Sequence, residues 1–112
     1  MVRMTQDEFL KNIKEVFERC YSVVEKKNRD YSGKDALANI FKCEDMGVCD
    51  AEIGILVRCS DKFSRIANIL KSKEYFVKEE TVEDTIIDLI NYLAILLVVL
   101  QYKRKVRKEN KS

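Results

Sequence analysis

The 112-residue chain contains no histidine, no proline and no tryptophan, and only three glycines. Each absence excludes something. Without imidazole there is no histidine general base, no Cys-His or Ser-His-Asp nucleophile system, and no zinc finger that draws on histidine. Without proline there is no proline-rich linker and no loop built on Pro-Gly turns. The four cysteines, Cys20, Cys43, Cys49 and Cys59, include no C-x-x-C pair. The N-terminal residues lead straight into a polar, periodic segment rather than an apolar signal sequence, so reduced thiols in a cytoplasm are expected. Helix packing accounts for Cys20 and Cys59, and a four-cysteine zinc site is the lesser alternative.

Charge of one sign is also lacking. Lysine and arginine number 21, aspartate and glutamate 19, for a net +2. Such a balance calls for neither nucleic acid nor a membrane surface as partner. Only the end of the chain is lopsided, with Lys103, Arg104, Lys105, Arg107, Lys108 and Lys111 against Glu109. That reads as a solvated, frayed helix end whose cations suit a helix C-terminus, with attraction to phosphate as the alternative. The length fits one domain over residues 1–112, its basic tail covering about 103–112. A domain this small buries only about two-thirds of its unfolded surface, so oligomerisation is a natural source of further stability.

No long apolar run is present either. Residues 85–102 are nearly continuously apolar, but Asp88 and Asn91 interrupt them, and the unbroken stretch is only 92–100. A bilayer core of about 30 Å needs roughly 20 residues, so the segment reads as a helix covered by its own and neighbouring chains, not a membrane span.

What is present is helical periodicity. Thr5-Gln6-Asp7-Glu8 reads as a capping box opening a helix over residues 5–27. Phe9, Ile13, Val16, Phe17, Cys20 and Val24 recur at three- and four-residue steps along it. Residues 28–33, rich in Asn, Asp, Ser and Gly, predict a loop. A short helix is expected over 34–44, with Gly47 in a left-handed position beyond it. Asp50 suits the N-cap of a third helix to about residue 71. Its predicted inner stripe is Ile53, Leu56, Ser60, Phe63, Ala67 and Leu70, with Arg58, Lys62 and Arg65 opposite. A connector over 74–79 precedes a fourth helix over 81–104. The expected fold is therefore all-α: a small antiparallel bundle of three long helices and one short, completed by oligomerisation.

The fourth helix carries the unusual pattern. Glu80, Asp84, Asp88 and Asn91 follow at i, i+4, i+8 and i+11, one narrow stripe entering an otherwise apolar surface. Buried carboxylates are costly unless paired, hydrogen-bonded or metal-bound. Three readings stay open: a divalent cation held by oxygen ligands, pairing with Arg58 or Arg65, or ordinary acids at a helix N-terminus. The last explains Glu80 and Asp84 better than Asp88, which lies two turns in.

The string Glu79-Glu80-Thr81-Val82-Glu83-Asp84-Thr85-Ile86-Ile87-Asp88-Leu89-Ile90-Asn91-Tyr92 resembles the late helix of the nucleotide modification associated domain of small phage and bacterial proteins. Lys27-Asn28-Arg29-Asp30-Tyr31-Ser32-Gly33 is similar to that family's K-x-x-D-Y-G element, with a serine inserted before the glycine. Arg58-Cys59-Ser60-Asp61-Lys62-Phe63-Ser64-Arg65 is similar to its R-x-x-D-K-x-x-R helix. The matches span residues 27–102, and the group in turn resembles the all-α nucleoside triphosphate pyrophosphohydrolases of the MazG and dimeric dUTPase type.

The resemblance implies a nucleotide site. Glu80, Asp84 and Asp88 would be catalytic and hold Mg2+ against a triphosphate. Lys27, Arg29, Lys62 and Arg65 would neutralise phosphate, Tyr31 would stack on a base, and Asn91 would assist through its amide. Asp30, Arg58 and Asp61 complete the ligand-binding candidates. The family's upstream E-x-x-E pair has no counterpart on the third helix, which offers only Glu52 and Asp61. Glu15 and Glu18 point away from the first helix's apolar face. Two functions follow. One is Mg2+-dependent cleavage of a nucleoside triphosphate to monophosphate and pyrophosphate. The other is a non-catalytic, phage-type oligomer that sequesters a nucleotide or a cyclic nucleotide defence signal in the cytoplasm of its host. A helical interaction protein without a small ligand is the third.

Overall fold

The computed structural model describes residues 1–72 and 79–111, and the side chains of all of these except Tyr31 and 79–81. Four helices follow in order: α1 (Gln6–Ser32), α2 (Lys42–Asp45), α3 (Ala51–Ser72) and α4 (Glu79–Lys111). There is no strand among the described residues, and the fold is the expected all-α bundle of three long helices and one short.

α3 and α4 run antiparallel and make the centre of the molecule. Lys62 faces Asp88 near one end of the pair, and Glu52 faces Lys103 near the other. Ala51, Ile55, Cys59 and Val99 form the buried cluster, with Leu89, Tyr92, Ile95 and Leu96 of α4 packed around it. The segment between α1 and α3 closes one side through Leu37, Ile40 and Phe41. α1 joins only by its second half, where Cys20 is buried and Asn91 donates its side-chain amide to the Cys20 carbonyl at 3.0 Å. All residues from 1 to 19 are exposed. The radius of gyration is 17.2 Å, against about 13 Å for a compact chain of this length. The projecting helix ends account for that excess.

Several expectations need correction. α1 does not stop at Lys27. It continues through Asn28, Arg29 and Asp30 to Ser32 and ends on Gly33, whose φ of +66° favours glycine. The polar residues were read as turn formers, but the Asn28 side-chain amide donates forward to the Ala36 carbonyl at 2.7 Å. That bond folds the following loop back onto a helix that has not yet ended. The predicted helix over 34–44 shrinks to Lys42–Asp45. Its earlier part is a set of turns organised by Asp35, which accepts from the Leu37 backbone N–H at 3.0 Å. Gly47 takes the expected left-handed conformation, φ +75°.

α3 is rotated relative to its predicted inner stripe. Its buried residues are Ala51, Ile55, Cys59 and Ile69, whereas Ile53, Leu56, Phe63 and Leu70 are exposed. The helix has two apolar stripes, and its own chain covers the one that holds Lys62. Asp50 precedes the first residue of α3, but the Ala51 backbone N–H donates to the Glu44 carboxylate at 3.0 Å. Asp50 keeps the N-cap position, its carbonyl accepting from the Ile53 and Gly54 N–H groups at 3.0 and 3.1 Å, and Glu44 of the neighbouring helix satisfies the Ala51 N–H. At the start of α1, the Thr5 hydroxyl accepts from the Glu8 N–H at 3.1 Å, the predicted cap.

The basic end is also more ordered than expected. α4 runs on to Lys111, and Lys103 is no tail residue. Its ammonium donates to Glu44 at 2.5 Å and to Glu52 at 2.6 Å, and lies 5.5 Å from the centre of the Phe41 ring. Tyr102 meets the same ring edge-on at 5.7 Å. All four cysteines are free thiols. Burial pushes Cys20 and Cys59 up from the ordinary thiol range, so both remain protonated packing residues. Cys43 and Cys49 are half-buried beside Gly54, and the hydrogen bond from Cys43 raises Cys49.

Candidate functional site

The second half of α1 lies across α3 and α4 and leaves a cavity of about 280 Å³ between the three helices. α1 supplies Val24, Lys27, Asn28 and Ser32 to its wall; α3 supplies Arg58 and Lys62; α4 supplies Asp88, Asn91, Tyr92 and Ile95. Asn39 and Ile40 close it from the loop before α2. The continuation of α1 past Lys27 makes this possible. It keeps Val24, Lys27 and Asn28 on one helical face, since positions three and four apart are neighbours.

Asp88 stands at the centre. Lys27 donates to one carboxylate oxygen at 2.8 Å and Lys62 pairs with the other at 3.2 Å. Burial pushes the Asp88 carboxyl up, but the two ammonium groups outweigh it and hold the acid below its ordinary range. Arg58 lies 6.0 Å from the centre of the Tyr92 ring, within reach of a cation–π contact. Three cations thus line a cavity with one carboxylate, which leaves the wall positive although the whole chain is nearly neutral.

Of the residues expected in a site, Lys27, Arg58, Lys62, Asp88 and Asn91 meet here. Asn91 is buried, and its amide holds α1 to α4 through Cys20, a structural task beside the one foreseen. Asp84 lies outside: its side chain is exposed and pairs with Arg19 at 3.4 Å, while Glu83 takes the other end of the same guanidinium. Arg29 lies on an adjoining groove and pairs with Glu25 at 3.7 Å. Asp30, Asp61 and Arg65 are exposed and do not line the cavity. The Glu80 and Tyr31 side chains lie outside the described residues. Sequence reasoning gave no role to Asn28, Ser32, Asn39 or Tyr92. Asn28 and Ser32 emerge only once α1 is known to run to Gly33, at four-residue steps from Val24.

A magnesium site was implied by the resemblance, and the donor set can be tested against it. Both oxygens of Asp88 are engaged by lysine, and Asp84 turns to Arg19. Among the described residues no three acids or thiols converge in a way that could hold a metal ion. These residues do not fit the ion, because an ammonium pair competes for the same oxygens that a hard cation requires. What the arrangement can do is accept an anion. Lysine and arginine are the side chains that bind phosphate, and the carboxylate keeps them ordered before a ligand arrives.

Comparison with protein-family models, with curated proteins and with solved structures gives no match to this chain. The site therefore stands on its geometry.

Proposed function

We propose that the cavity binds a small phosphate-bearing ligand of the nucleotide class and retains it unchanged, the sequestering reading of the sequence. The observation that supports it is the sharing of Asp88 between Lys27 and Lys62, with Arg58 beside Tyr92 on the same wall. The lysines are preset for an anionic group, since Asp88 holds them in place and yields when a doubly charged phosphate enters. The Tyr92 ring offers a face to a base, and Asn39 offers a polar edge. The volume matches the lower end of small-molecule sites, about 300 Å³.

The test is calorimetric titration with nucleoside mono-, di- and triphosphates and cyclic dinucleotides, each with Mg2+ and with a chelator. Binding is expected with the chelator present, falling as salt rises, and the ligand is recovered intact by chromatography. Lys62→Met weakens it at least tenfold, about 1.4 kcal/mol. Release of pyrophosphate that requires Mg2+ and vanishes in Asp88→Ala would instead establish the pyrophosphohydrolase reading.

A further inference from the structure

On the side of the α3–α4 pair that faces away from α1, each helix carries an apolar row that no other described residue buries. On α3, Ile53, Leu56, Phe63 and Leu70 are 47–66% exposed, with Ser60 and Ala67 between them. On α4, Ile86, Leu93, Leu97 and Leu100 are 38–63% exposed, with Ile90 half-buried in the same row. Both rows step by three and four residues in alternation: 53, 56, 60, 63, 67, 70 and 86, 90, 93, 97, 100. That is the spacing of a helix-packing seam.

At 100° per residue, each row lies about a quarter-turn or slightly more from the face that joins α3 to α4. On α4, the residues that bond to α1 (Asp88 and Asn91) lie on the other side of that joining face. On α3, Arg58 and Lys62 line the cavity with α1, again on the side away from the row. The two rows therefore make one continuous two-helix surface.

We infer that this surface is covered by the same surface of a second copy of the chain, the two α3–α4 pairs closing a four-helix core. Three observations select that occupant. The eight side chains, each 38–66% exposed, present an area comparable to the roughly 800 Å² that one partner contributes to a standard stable interface. A two-helix face bearing paired seams is complementary to itself across a two-fold axis, as an isologous contact requires. A lipid surface is the competitor, because α4 from Val82 to Lys111 is long and apolar enough to cross a membrane. Yet lipid needs no three–four periodicity. At the level of these rows α4 also carries Asp84 and Asp88, ion-paired to Arg19, Lys27 and Lys62, which a bilayer core disfavours. The inference is independent of the ligand proposed for the cavity.

Light scattering on the full chain at micromolar concentration tests it, beside far-ultraviolet circular dichroism. The expected mass is at least twice 13.1 kDa. Leu93→Arg with Leu97→Arg, at positions exposed in the single chain, raises the dissociation constant at least about 100-fold and leaves helicity unchanged. Phe9→Arg with Phe17→Arg, on the exposed apolar stripe of α1, keeps the wild-type mass, and dissociation of that variant while the α4 variant stays assembled overturns the inference. Loss of helicity in the α4 variant would place Leu93 and Leu97 in the packing of their own chain and overturn the inference, since both are exposed in the single chain. A one-chain mass for the wild type overturns it, as does an α4 variant that stays assembled. Flotation of a one-chain wild type with anionic phosphatidylcholine–phosphatidylglycerol vesicles overturns it in favour of lipid.

Discussion

Lys27 of α1 and Lys62 of α3 meet on the single carboxylate of Asp88, at 2.8 and 3.2 Å. One acid thereby ties three helices together and orders two cations at the wall of a cavity. It has two separable consequences, for ligand affinity and for stability.

Asp88→Asn is expected to tighten binding of inorganic phosphate or a nucleotide while lowering stability by about 1–3 kcal/mol, because the lysines lose their partner but keep their charge. Calorimetric titration and thermal melting read the two effects. Weaker anion binding in this variant would contradict the ion-pair account of the site.

Asn91→Leu should destabilise by about 1–3 kcal/mol, since the Cys20 carbonyl loses its buried donor. Hydrogen exchange would show the loss in the second half of α1 first. An unchanged melting temperature would mean that this carbonyl finds another donor.

Lys103→Met should lower stability at neutral pH, with the deficit closing in acid. Glu44 and Glu52 are each held below the ordinary carboxylate range by the hydrogen bond from Lys103, and the bonds to Glu44 and then Glu52 push Lys103 upward. A depressed carboxylate contributes stability above its unfolded pKa and loses it as pH falls through the folded one. The gap between wild type and variant therefore narrows below about pH 4, near the ordinary carboxylate range. The lysine's own contribution persists until strongly alkaline pH. Denaturant melts from pH 2 to 8 provide the measurement.

Gly54→Ala should be destabilising by about 1–3 kcal/mol. A Cβ there would come within 2.7 Å of the Cys43 sulfur. Combining it with Cys43→Ala should recover most of the loss, a coupling that a double-mutant cycle detects.

The helical class and the three long elements were legible in the periodicity of residues 9–24, 53–70 and 86–100. The orientation of α3 was not. Two apolar stripes on one helix give the same periodicity, and the pattern cannot say which faces the chain itself. This ambiguity put Lys62 on the solvent side and hid its bond to Asp88. The acid row showed Asp88 as anomalous, but its lysine partners lie 61 and 26 residues away, beyond any local pattern. Lys103 was obscured by the basic residues that follow it. Its difference from them lies only in Glu44 and Glu52, brought near by packing.

The side chains of α1 are exposed as far as Arg19, which reaches Glu83 and Asp84 of α4, yet the same helix carries Lys27 into the cavity. Phe9 and Lys27 are 18 residues apart, about 27 Å along one rod at 1.5 Å per residue. No proline or glycine interrupts that span. The helix is thus a lever with an apolar arm and a charged arm. Whatever restrains Phe9 and Phe17 restrains Lys27, and whatever engages Lys27 sets the direction in which the apolar arm points. By reciprocity the two events must favour or oppose each other to the same degree.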